Sequence, residues 1–131
     1  MRTGNGMKAL GIFLLGVLVL GAAVAWRGQR GAEPREIVLV ARAMTFVDES
    51  DPARPNPGLV VRRGERVRLV IVNRDPGSRH NLSIEELGLR SRTLVAGESD
   101  AVEFTAPSRR TMLAYSCSFH AQMMRGAIVV E

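Results

Sequence analysis

His80, Cys117 and His120 are the two histidines and the single cysteine of a 131-residue chain. His120 stands three residues after Cys117, in Cys117-Ser118-Phe119-His120, and Met123 and Met124 follow directly in the same stretch. Two imidazoles, a thiolate and a thioether suit copper in both of its common oxidation states. Thiolate and thioether are soft and favour Cu(I), while imidazole serves Cu(I) and Cu(II) alike. A plane of two histidines and one cysteine with a long axial methionine lies between the geometries the two ions prefer. An electron then arrives or leaves with little ligand movement.

The rival chemistries fit less well. Structural zinc takes four strong ligands, and a thioether is a poor fourth. Catalytic zinc with three ligands needs a nearby base, and no Asp or Glu stands close to these residues in sequence. A Cys–His nucleophilic pair needs a third group to orient the base, and the sequence nominates none. Taken singly, each residue has a plain structural reading: a hydrogen-bonded histidine, a small buried thiol, methionines filling a core. Their joint spacing is what favours a metal. A single cysteine also excludes an internal disulfide, and an exported thiol needs burial or a bound partner to escape oxidation.

The segments that must position these residues read as short strands. Apolar runs rich in Val, Ile and Leu (IVLVARAMTFV, GLVV, VRLVIV, NLSI, TLVA, AVEFTA, MLAY, AIVV) recur from Glu36 to the end. Turn signals separate them at Asp51-Pro52 through Pro57-Gly58, Gly64-Glu65, Asp75-Pro76-Gly77, Gly88, Ala96-Gly97 and Pro107-Ser108. About eight strands at this spacing predict an all-β antiparallel sandwich. Residues Glu85 to Leu89 read as one helical turn or a loop. The two-residue period puts Val67, Leu69 and Ile71 on one face, with Arg66 and Arg68 opposite. It likewise groups His80 with Leu82 and Ile84, and Cys117 with Leu113 and Tyr115; Val102 and Phe104 form another pair. His80 and Cys117 therefore lie on apolar faces, each at the end of its run and next to a loop.

The segment from Pro57 to Glu131 resembles the cupredoxin (type 1 copper) family. The resemblance is carried by Val67-x-Leu69-x-Ile71-x-Asn73, His80-Asn81-Leu82, Tyr115-Ser116-Cys117-Ser118-Phe119-His120 and Met124-Arg125-Gly126-Ala127-Ile128-Val129-Val130. The closing block looks most like amicyanin- and plastocyanin-type domains. It implies a Greek-key sandwich with one mononuclear copper at one end. His80 would come from an early strand end, and Cys117, His120 and a methionine from one late loop. Asn81 would tie the two ligand segments together. Many members carry proline just before the second histidine, where this chain has Phe119, whose N–H is free to bond the Cys117 sulfur and tune the potential. Loop length in amicyanin-like proteins selects Met123 as the axial ligand, whereas the following x-Gly selects Met124. Strand alignment is harder to shift than loop length, so Met124 is preferred, with Met123 the alternative.

Ahead of the sandwich, Ala9 to Trp26 form an unbroken apolar run of 18 residues, with Arg2 and Lys8 before it and Arg27 and Arg30 after. This is just long enough for a membrane-spanning helix, and Ala23-Val24-Ala25 would also serve as a signal cleavage site. Trp26 suits a membrane boundary and favours the anchor. The expected organisation is a signal peptide or N-terminal anchor helix over 1–26, a linker over 27–35 and the sandwich over 36–131. The rest of the chain would then be exported: facing the periplasm or cell exterior if anchored, soluble periplasmic if cleaved.

The formal charge of +5 belongs mainly to the leader and linker, because Glu36 onward holds 13 arginines against 12 acids. No basic run is interleaved with aromatics, which argues against nucleic acid. The expected function is electron transfer to a redox partner such as a cytochrome, oxidase or dehydrogenase. A copper carrier serving a membrane oxidase is the alternative, although carriers more often use Met and His without Cys. The chain is not expected to be an enzyme. A copper nitrite reductase or multicopper oxidase needs further histidine clusters, and a binuclear site of the oxidase-subunit kind needs a second cysteine.

Overall fold

The computed structural model describes residue 31 and residues 33–131. The leader expected over 1–26 lies outside the described residues, as does most of 27–35. Residues Glu33–Glu131 form one compact unit. No helix among the described residues is long and apolar enough to cross a membrane.

The described residues hold ten strands: β1 (Arg35–Arg42), β2 (Thr45–Asp48), β3 (Asp51–Pro55), β4 (Leu59–Val61), β5 (Arg66–Asn73), β6 (Ser83–Ile84), β7 (Leu89–Arg90), β8 (Ser99–Thr105), β9 (Thr111–Ser116) and β10 (Arg125–Val130). They build two five-stranded sheets, ordered β3-β2-β1-β5-β8 and β4-β10-β9-β6-β7. The alternation seen in sequence sets the facing. Val67, Leu69 and Ile71 of β5 are buried, as are Leu39 of β1, Leu113 and Tyr115 of β9 and Ile128 of β10. These inner residues belong to one continuous core, and their burial is the main stabilising term for a sandwich.

The structure differs from the sequence expectation at β7, which starts at Leu89 where a helical turn or loop was expected, and in four further places. The run from Ile37 to Val47 is two strands, broken at Ala43-Met44, where both residues have positive φ (50° and 59°). A two-residue hairpin turn of this hand normally uses Asn-Gly, so periodicity alone could not find it. Residues Asp51 to Pro55, read as a turn, form edge strand β3, irregularly paired with β2; an edge strand tolerates proline because only one of its sides is hydrogen-bonded. The TLVA run contributes only an isolated bridge between Leu94 and His80. Finally, β1 pairs parallel with β5 and β4 parallel with β10, so the sandwich is mixed. The chain from 43 to 65 visits both sheets before returning beside β1, and that crossover makes β5 the parallel neighbour of β1.

Tyr115 and Gly126 are cross-strand partners in β9 and β10. The tyrosine ring covers the glycine, and a Cβ at position 126 would clash with the ring edge and its hydroxyl. The phenol hydroxyl donates to the Pro57 carbonyl at 2.6 Å, and the ring meets Phe46 edge-on at 5.5 Å. Burial, with a smaller push from the Asp48 charge, raises this phenol well above its ordinary value of 10.0. A group whose folded pKa is raised gives stability that is whole below the unfolded pKa and lost as pH climbs beyond it. Tyr115 is the single tyrosine of the chain. Alkaline titration should therefore develop tyrosinate absorption only together with loss of β-sheet circular dichroism. Tyrosinate appearing in an intact sheet would contradict the burial.

Candidate metal centre

The ends of β1, β5 and β9 and the start of β10 meet at one pole of the sandwich. His80 reaches this pole in the chain between β5 and β6. Its N–H donates to the Leu94 carbonyl at 3.1 Å, and its carbonyl accepts the Leu94 N–H at 2.8 Å. Cys117 follows directly on β9, and His120 and Met124 lie in the loop that leads to β10. That loop closes on itself. The Cys117 N–H donates to the Met124 carbonyl at 3.0 Å, the His120 N–H to the Cys117 carbonyl at 3.2 Å, and the Met124 N–H to the His120 carbonyl at 2.8 Å.

Three donor atoms converge here. The Cys117 Sγ stands 3.7 Å from His80 Nδ1 and 3.8 Å from His120 Nδ1. The ligand atoms of His80, Cys117 and His120 all lie within 4.8 Å of one another, an arrangement that could hold a metal ion. Nitrogen and sulfur bound to one first-row metal at about 2.0 and 2.3 Å, in a near-trigonal arrangement, would be about 3.6–3.8 Å apart. The observed spacing fits that requirement. The imidazole rings are 5.0 Å apart and tilted by 58°. His80 and Cys117 have no exposed surface, whereas His120 is half-buried. Phe119 (48% exposed) and Met123 (53%) stand on the surface beside it.

The two methionines separate cleanly. Met124 is fully buried in the core, while the Met123 side chain faces outward. Gly126 is pinned beneath Tyr115, and the inward row of β10 runs through Ile128 and Val130. Two-residue alternation carries that row back to Met124.

Asn81 joins the two halves of the centre. Its Oδ1 accepts the Ser118 N–H at 2.8 Å and its Nδ2 donates to the Ser118 hydroxyl at 3.2 Å. The segment carrying His80 is thereby tied to the segment carrying Cys117. Asn56 adds a second tie: its Oδ1 accepts the Phe46 N–H at 3.1 Å and its Nδ2 donates to the Met123 carbonyl at 2.8 Å.

Sequence reasoning missed Asp75, which was read only as a turn residue. Its Oδ2 lies 2.9 Å from His80 Nε2, and the carboxylate also receives the N–H groups of Ala43 and Met44 at 2.7 and 3.0 Å. Desolvation pushes its pKa up, but the Met44 and Ala43 N–H groups and the His80 ring outweigh that push and hold it below the ordinary 3.8. It stands five residues ahead of His80, so the expectation that no acid lies close to the donors is corrected; the Asp-Pro-Gly turn pattern had masked it.

Neither a protein-family model nor a curated protein matches the chain. Solved structures do. Auracyanin A, a "blue" copper protein from the green thermophilic photosynthetic bacterium Chloroflexus aurantiacus, is 19% identical with a TM-score of 0.60, over 76% of this chain and 100% of its own. A mutant of amicyanin in its reduced Cu(I) form is 24% identical with a TM-score of 0.53, over 77% of this chain and 87% of its own. The McoA multicopper oxidase of the hyperthermophile Aquifex aeolicus is 13% identical with a TM-score of 0.55, over 74% of this chain but only 26% of its own.

Proposed function

We propose that this chain, whose fold is that of the cupredoxins, holds one type 1 copper ion through His80, Cys117, His120 and Met124 and passes single electrons. The observation that carries the proposal is the convergence of two Nδ1 atoms on one buried Sγ, at 3.7 and 3.8 Å. When bound, copper supplies the one-electron couple. The protein holds its donors still. His80 is locked by the Leu94 bridge, Cys117 by the Met124 carbonyl, and both segments by Asn81. Ligands held in this way have little freedom to rearrange between oxidation states, which keeps the electron-transfer barrier low.

Electrons would pass through His120. It is the one donor of the three with solvent exposure, and Phe119 and Met123 give its surroundings an apolar surface for a partner. That partner would be a cytochrome, oxidase or dehydrogenase in the exported compartment, with the apolar leader acting as a membrane anchor or a signal. The carrier alternative requires ready release of copper, and the full burial of His80 and Cys117 disfavours it.

Voltammetry and chelator competition on the copper-loaded chain separate the two readings. One reversible one-electron wave, with copper retained against a chelator over many cycles, is expected. Prompt loss of copper to the chelator and no reversible wave would make the chain a carrier.

A further inference from the structure

The His80 ring has two nitrogens, and a metal can take only the one without a proton. In neutral imidazole the choice between them is set by whatever the other nitrogen touches. Here Nδ1 is the atom near Cys117 Sγ, and Nε2 is the atom near Asp75 Oδ2. The carboxylate already receives two backbone N–H donors, from Ala43 and Met44. Ionised oxygens only accept hydrogen bonds, so a favourable contact at 2.9 Å requires the proton on Nε2.

We infer that Asp75 is a positioning residue for the metal: it holds His80 as the Nε2–H tautomer, presents Nδ1 as the free donor, and biases the bound ion toward its oxidised state. This rests on the copper reading above.

The placement of Asp75 is rigid enough for this role. Its own N–H donates to Asn73 Oδ1 at 2.8 Å. Asn73 Nδ2 in turn donates to the carbonyls of Ser78 and Leu94, both at 2.9 Å. Arg74 N–H donates to the Ala41 carbonyl at 2.9 Å. The Asp75 side chain is 13% exposed and His80 is fully buried, so water screens their contact poorly. A negative charge hydrogen-bonded to the far nitrogen makes the imidazole a stronger donor. It also stabilises the extra positive charge of Cu(II) relative to Cu(I). The same carboxylate closes the β1–β2 turn, so one side chain couples the shape of that hairpin to the electronics of the centre.

An amide cannot replace it. Asp75 meets three N–H donors with two oxygens. Asparagine keeps one oxygen and turns an NH2 group toward at least one of those donors. Partners of this kind typically shift metal affinity by about 10–100-fold when removed. Asp75→Asn should therefore move the Cu(II)/Cu(I) equilibrium toward Cu(I) by about tenfold, which is about 59 mV of higher potential for a one-electron couple.

Asp75 also holds the Ala43-Met44 turn, so the substitution is made in a second background as well. Ala43→Asn with Met44→Gly supplies a turn that favours positive φ at both positions by itself. A purely structural Asp75 would become dispensable there and leave the potential unmoved; a positioning Asp75 would still shift it. A third measurement needs no variant and no copper: NMR of the labelled histidine nitrogens in the metal-free chain. The expected result is a proton on Nε2 of His80. A proton on Nδ1, or an unchanged potential in the stabilised-turn variant, overturns the inference. If the wild-type chain shows no thiolate–copper absorption, the copper reading fails, and the tautomer measurement still judges what Asp75 does to His80.

Discussion

Cys117→Ser is expected to abolish the intense visible absorption of the copper-loaded chain and to widen its narrow copper hyperfine splitting to the ordinary Cu(II) pattern. The thiolate is both the soft ligand and the source of the charge-transfer band. A serine hydroxyl stays protonated at neutral pH and is a hard, weak donor. The change is also testable against the fold. Cys117 is fully buried with its sulfur 3.7 and 3.8 Å from the two imidazoles, too far for a hydroxyl to make good hydrogen bonds. The metal-free variant should therefore lose about 1–3 kcal/mol, the cost of a buried hydroxyl without a partner. Absorption, electron paramagnetic resonance and denaturant unfolding on the same two samples decide it. An unchanged visible band in the serine variant would exclude Cys117 as a ligand.

Met124→Ala should be the more destabilising of the two methionine truncations by a wide margin. Met124 is completely buried and belongs to the core, whereas Met123 is 53% exposed. Removing a buried methionine side chain costs about 2–5 kcal/mol, cavity included. Truncating a surface side chain usually changes stability by no more than about 0.5 kcal/mol. Stability alone does not make Met124 a ligand, so a volume-conserving pair follows. Met124→Leu should cost under about 1.5 kcal/mol yet alter the copper spectrum and potential. Met123→Leu should change neither. A spectral change confined to Met123→Leu would return the axial role to the loop-length alternative.

These results would test a site that was largely legible in the chain. His80, Cys117 and His120 are the only residues of their types, and two-residue alternation put two of them on apolar strand faces. The same rule gave the facing of β5, β9 and β10, because strand geometry is local and their buried rows are carried mainly by Val67, Leu69 and Ile71, by Leu113 and Tyr115, and by Ile128 and Val130. Asn81 was reached only through family likeness. Its hydrogen bonds to Ser118 span 37 residues, and no local rule reaches that far.

Donor types, their spacing and the core-facing pattern are properties of residues and their near neighbours, and the sequence by itself determined them. Tertiary structure decided what depends on long-range partners. The Ala43-Met44 turn carries no glycine because Asp75, more than thirty residues away, accepts its two N–H groups. The parallel pairing of β1 with β5 depends on a crossover whose path periodicity does not encode. The separation of Met124 from Met123 depends on Gly126 lying beneath Tyr115, which sets the register of β10. The tautomer of His80 depends on a carboxylate that reads in sequence as an ordinary turn residue. Each depends on contacts between distant segments; at Ala43 and Met44 those contacts hold two residues at positive φ against a left-handed penalty of about 1–2 kcal/mol apiece.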